Sequence, residues 1–202
     1  MNQLPTSTIP HNLSGHRLKF FVLVGIVAGL MMYVYGTINY QNVEYAQWDL
    51  HDYRAMAQAS PGLAESVRQP FVFRILGPYA VGLLPFSIDN SFLVLSISSG
   101  LMLSLIFYLY LSASAFEPSI SALATILFIL NKYFFGFPAW NFFQVNDILS
   151  QIEIVLMMWA MTSQKWLLFG IVLFFGSLTK ETPLIMIPVA FIYLVDTHTF
   201  EK

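Results

Sequence analysis

Uncharged apolar runs separated by brief polar punctuation set the pattern of this chain. Residues 20–38 carry no charge and are long enough to cross a hydrocarbon core of about 30 Å. Residues 91–116 and 119–137 follow as two more such runs, parted by Glu117-Pro118, with Lys132 near the end of the second. Residues 148–162 form another, carrying Glu153. Residues 166–195 are apolar but broken in the middle by Lys180-Glu181-Thr182-Pro183, so this stretch reads as two short tilted helices or a re-entrant hairpin. Residues 71–86 are apolar yet short, and contain Arg74, Gly77, Pro78, Gly82 and Pro85. A helix of that length rises about 24 Å, too little for an easy crossing. It is expected to lie at the interface or to dip in and out.

These elements predict an all-α, polytopic transmembrane bundle of about six spans, near 20–38, 91–112, 119–137, 148–162, 166–179 and 183–195. The transmembrane module covers 20–196, between a polar tail at 1–19 and a short end at 197–202. Residues 39–90 form a long loop with short juxtamembrane helices; within it, 52–59 is expected to make one or two helical turns, ended by Ser60-Pro61-Gly62. No small-x-small cleavage site follows the first run, so it reads as an uncleaved helix.

Composition agrees with that pattern. The 202 residues are 57% hydrophobic and 10% charged, where an ordinary soluble domain carries roughly 25% charged residues. A net charge of −2 leaves no basic excess for nucleic acid, and no nucleic-acid partner is expected. A soluble globule of this size has no room to hide so much apolar surface in one core. Membrane lipids are therefore the expected surroundings. With no cysteine, disulfides, thiol catalysis and thiolate metal sites are excluded.

Arg17 and Lys19 ahead of the first run place the N-terminus in the cytoplasm. Alternation then puts Lys165 and Lys202 on the same inner side. Arg54, Arg68, Arg74 and Lys180 fall outside, with Lys132 near them. Such an outer excess runs against the positive-inside rule, so either the topology differs or these cations hold something anionic.

The few charges mark where chemistry is to be sought. Asp49 and Asp52, in Trp48-Asp-Leu-His-Asp-Tyr-Arg54, sit three apart and share a face if that segment is helical. A carboxylate near an apolar boundary suits a general base, and a carboxylate pair also offers oxygen ligands to a divalent cation. The plainer alternative is a solvated loop; His51 between them is a further base candidate. Arg74 in an apolar run either faces an anion with its planar fork or snorkels to water. Lys180 and Glu181 either neutralise a ligand or cap a turn at the surface. Asp147, after Asn146, is a candidate site residue or a helix N-cap. Glu153 lies inside an expected span, where acids are functional candidates by default. No Gly-rich phosphate loop, nucleophile elbow or zinc signature is present.

Taken in order, these residues resemble a known arrangement. A first span is followed by a large outer loop with an early Asp, then by an x-Pro-Phe-x-x-Arg-x-Leu-x-Pro segment, here Gln69-Pro-Phe-Val-Phe-Arg74-Ile-Leu76-Gly-Pro78. Two spans lead to an outer loop ending in Asp147, and a short helix pair is joined by Leu178-Thr-Lys-Glu-Thr-Pro183. This resembles the N-terminal module of the GT-C superfamily of integral membrane glycosyltransferases, over roughly residues 17–196. The resemblance implies transfer of a sugar from a polyprenyl-phosphate carrier, the lipid-linked donor, to an acceptor at the outer face. It places the chain in a cell envelope, in the bacterial inner (plasma) membrane. It makes Asp49 the catalytic base or acceptor-binding carboxylate, with Asp52 close behind, and sets Arg74 and Lys180 against the carrier phosphate. Family members usually carry more spans, so this chain corresponds to a shortened enzyme or a module of one. Its acids are spaced Asp-x-x-Asp rather than the Asp-x-Asp of metal-dependent members, so the resemblance itself implies no metal. Two other classes suit the same residues: a non-catalytic lipid-carrier-binding subunit, and a small transporter or transporter fragment with Glu153 and the broken 166–195 pair at its site.

Overall fold

The computed structural model describes residues 15–39 and 49–199. The expected tail up to residue 14, residues 40–48 of the long loop and the last residues, 200–202, lie outside them. Every regular element among the described residues is helical. Helices α1 (Gly15–Tyr35), α4 (Ile88–Ala113), α5 (Pro118–Ile129) and α7 (Val145–Thr162) make the body. Helices α2 (Leu50–Ala59) and α3 (Leu76–Gly82) cover one end, α6 (Phe137–Trp140) is a single turn, and α8 (Trp166–Thr179) and α9 (Met186–Thr199) flank α7.

Helix α4 is the central post, packed against α1, α5 and α7. Its inward face is built from small residues: Ser91, Ser96, Ser99, Gly100, Ser104 and Ser112 are all buried. Small side chains let helix backbones approach closely, the mode of packing that works where lipid offers no hydrophobic drive between helices. Val24 and Ala28 of α1, Ile129 of α5 and Ile148 and Ile152 of α7 close around this face with Leu103 and Tyr108. Many large apolar side chains point the other way. Ile26, Leu30, Tyr33 and Val34 on α1, Leu127 on α5 and Leu167 and Phe174 on α8 are exposed. Serines among the buried apolar groups, and many large apolar groups outside, depart from the distribution of a water-soluble helix.

Two helices, α1 and α4, are long and apolar enough to cross a membrane, and a third crossing is counted if α5 and the bent segment after it are one span. The chain is thus an all-helical protein of the membrane type. The expected run 119–137 is not one straight helix. It stops at Ile129 and turns by 64° into a π-helix, Lys132–Gly136, and then α6. Asn131 breaks it: its backbone is extended, and its side-chain oxygen accepts from the N–H groups of Tyr133 and Phe134. Helix α7 begins before the expected 148–162, and Asn146, Asp147, Gln151 and Glu153 make it less apolar than α1 or α4. The run 166–195 divides at Lys180, which is extended, into α8 and a 3-10 turn, Thr182–Ile185, leading to α9; each half falls short of crossing length. Residues 71–86 hold a 3-10 turn, Phe71–Phe73, and α3, so this segment makes short helices as its length requires.

Candidate functional site

Helix α2 lays an amphipathic face on the end of the bundle. Leu50, Tyr53 and Ala57, at helical spacing, enter a core with Val81, Phe92, Phe142, Phe143 and Val145. That packing fixes the rest of the helix. Asp52 is buried, and Arg68, from the loop behind it, engages both its oxygens: the Arg68 backbone N–H donates to Oδ1 at 3.2 Å, while Nε and Nη2 donate to Oδ2 at 3.2 and 2.7 Å. This bond holds Arg68 above its ordinary pKa. Arg54 pairs with Asp89 at 3.3 Å, tying α2 to the start of α4.

Arg74 is the hub. Its side chain is buried, and all three guanidinium nitrogens donate: Nε to Glu181 Oε2 at 3.0 Å, Nη2 to Glu181 Oε1, and Nη1 to the Tyr53 hydroxyl at 3.2 Å. The guanidinium carbon lies 5.0 Å from the centre of the Phe71 ring, which in turn meets Tyr53 edge-on. Asn146 Nδ2 donates to the Arg74 carbonyl at 3.3 Å. This approach needs Gly77, because a Cβ there would stand 2.1 Å from Asn146 Oδ1. Burial disfavours the Arg74 charge, but the bonds to Glu181 and Tyr53 outweigh it and raise the pKa. The bond from Arg74 in turn holds the Glu181 carboxyl below its ordinary value. Burial pushes the Tyr53 hydroxyl up, against the pull of Arg74.

The turn between α8 and α9 supplies the other half. Three consecutive side chains each meet a different partner: Thr179 donates to Glu153 Oε1 at 2.6 Å, Lys180 pairs with Asp147, and Glu181 takes Arg74. Between this turn and the 70–74 segment lies an open cleft of about 310 Å³ lined by Pro70, Phe73, Arg74, Ser177, Lys180, Glu181 and Leu184.

Four of the expected site residues therefore meet at this turn, Arg74, Asp147, Lys180 and Glu181, while Asp52 pairs with Arg68. Asp49 stands at the first turn of α2, where its backbone carbonyl accepts from the Tyr53 N–H. Its carboxylate accepts from Gln144 Nε2 at 3.4 Å, and among the described residues no cation pairs with it. His51 is exposed on α2 and does not join the cluster. Both Asp52 oxygens are committed to Arg68, so the Asp49/Asp52 pair is not arranged as a divalent-cation site. Among the described residues no three His, Asp or Glu side chains are gathered to hold a metal. The sequence pattern marks Arg68 only as one outer cation among several and does not mark Tyr53 as a site residue. The Leu50, Tyr53, Ala57 spacing was the available sign of a buried helix face.

Fold and site together define a membrane-type helical protein with a charged cleft at one end of its helices. No family model, curated protein or solved structure matches the chain.

Proposed function

We propose that the chain is a membrane glycosyltransferase-like protein that takes a sugar from a polyprenyl-phosphate carrier. In this reading α1, α4, the bent α5 pair and α7 cross, and the short α8 and α9 complete six crossings only with the bilayer thinned around them; the N-terminus is cytoplasmic and the charged end faces outward. The observation that carries it is the division of labour among the carboxylates. Asp52 takes three bonds from Arg68, whereas Asp49, at the N-cap of the same helix, feels the Arg68 charge but among the described residues accepts a bond only from a neutral side-chain amide. Asp49 is thus the carboxylate left to accept a proton.

The cleft supplies the complementary charge. An arginine fork that grips a carboxylate has the geometry to grip a phosphate. Glu181 is half-exposed at the rim, so an entering phosphate exchanges with it on Arg74 while Lys180 adds a second charge. Asp49 is not among the residues lining the cleft, so this reading requires an acceptor that reaches from the cleft to it: in the inverting step the acceptor oxygen bonds to the anomeric carbon and its proton passes to Asp49. The bond from that carbon to the phosphate oxygen breaks, and its electron pair leaves with the carrier phosphate, stabilised by Arg74 and Lys180.

The test is sugar transfer by the full chain in membrane vesicles, from a panel of radiolabelled polyprenyl-phosphate hexoses and pentoses. Asp49→Asn is expected to lower transfer by about 100-fold or more; undiminished transfer overturns the role. Ser66→Cys, on the exposed stretch after α2, is expected to react with an impermeant thiol reagent from outside. Reaction only after rupture overturns the orientation.

A further inference from the structure

A second cleft, of about 370 Å³, lies at the break after α5 and is lined by Tyr35, Lys132, Tyr133, Gly136, Phe137 and Trp140. The chain fastens this break from several sides. Asn131 caps the π-helix, the Tyr35 hydroxyl donates to the Ile129 carbonyl at 3.1 Å, and Gln151 Nε2 donates to the Phe134 carbonyl at 2.9 Å. Gly136 lets the Tyr35 ring in, since a Cβ there would come within 2.7 Å of it. Four bonds and a close approach thus hold open a kink that a continuous helix would close. The π-helix leaves Tyr133 at 80% exposed beside the lysine. Short π-helices recur at functional sites.

Charge says what this cleft takes. At the same end of the bundle Arg54, Arg68, Arg74 and Lys180 each have a carboxylate within the chain. Among the described residues Lys132 pairs with none. Lys132 is exposed, so its ammonium is available to an anion from outside the chain, and the described residues lining the cleft around it are aromatic rings and a glycine rather than acids that would welcome a zwitterion's ammonium.

We propose that the Lys132 cleft binds the head group of an anionic phospholipid of the surrounding bilayer, the ammonium on the phosphodiester and the first acyl carbons along Tyr35, Phe137 and Trp140. Aromatic rings and a lysine stem match the interface, where one end of each group is apolar and the other wet. The proposal rests on the membrane character of the fold and not on glycosyl transfer.

Trp140 reports on the cleft. The full chain, with Trp48, Trp159 and Trp166 replaced by Phe, is placed in phosphatidylcholine nanodiscs containing a small fraction of brominated phosphatidylglycerol or brominated phosphatidylcholine. Phosphatidylglycerol is expected to be enriched about fivefold over phosphatidylcholine at Trp140, read as quenching. Lys132→Gln brings the two lipids level, and Lys132→Arg keeps the preference. Lys165→Gln, at the far end of α7, changes nothing. Equal quenching by both lipids, or an undiminished preference in Lys132→Gln, overturns the proposal. So does relief of quenching by polyprenyl phosphate where unbrominated phosphatidylglycerol has no effect.

Discussion

The Thr179 hydroxyl donates to Glu153 at 2.6 Å, joining the last residue of α8 to the middle of α7 at a fully buried point. The other Glu153 oxygen is buried too and has no hydrogen-bond partner among the described residues. One hydroxyl therefore carries the polar satisfaction of this acid. Thr179→Val removes it at constant shape and is expected to cost about 1–3 kcal/mol. In a thermal unfolding series the midpoint falls by several degrees, and Thr179→Ser stays near wild type. A silent Thr179→Val would show that the bond holds nothing.

Acid should loosen the contact between Arg74 and Glu181 in a defined direction. Because Arg74 holds the Glu181 carboxyl below its ordinary value of 4.5, the contact stabilises the folded chain fully above that pH. The contribution is lost as pH falls through the lowered folded value. Glu181 is 58% exposed, so solvent screening keeps the effect to about 1 kcal/mol or less. Unfolding curves of wild type and Glu181→Gln should differ at neutral pH, wild type being the more stable, and converge in strong acid. A difference that widens on acidification would contradict the assignment.

Gly77→Ala tests how tightly α3 sits against α7. A methyl group there collides with Asn146 Oδ1 and also reaches the Val145 side chain, at 3.2 Å. Asn146 must retreat, and its bond to the Arg74 carbonyl goes with it. The substitution is expected to lower the thermal midpoint by several degrees and to increase proteolysis in the 68–75 segment. Gly29→Ala, where a Cβ meets nothing within 4 Å, should leave both measurements unchanged. Equal behaviour of the two variants would remove the close approach from the account of the site.

Helix existence could be read from the chain because apolar runs such as 20–38 and 91–116 are long and uninterrupted, and because Glu117-Pro118 parts two of them. The gathering of Arg74, Asp147, Lys180 and Glu181 was foreseeable in part, since charge is rare here and clusters in sequence at element ends. Two features were beyond reach. Asn131 looks like any polar residue at the end of an apolar run, and its capping bonds, which turn the chain by 64°, depend on the three-dimensional path. Arg68 was one loop cation among several until the path from Ser60 to Pro70 carried it back onto Asp52. Pairings between distant residues are set by tertiary geometry, which local periodicity does not encode.

The turn at Thr179, Lys180 and Glu181 sets a length rule for the gene. Apolar positions on either side can drift among Leu, Ile, Val and Phe, because the lipid-like faces of α8 and α9 ask only for bulk. An insertion or deletion between Leu178 and Pro183 is different. Shifting the count by one would present threonine, lysine and glutamate each to its neighbour's partner, setting Glu181 against Asp147 or Lys180 against Arg74. This segment is therefore a ruler: a shift in either direction replaces the two ion pairs with a like-charge contact.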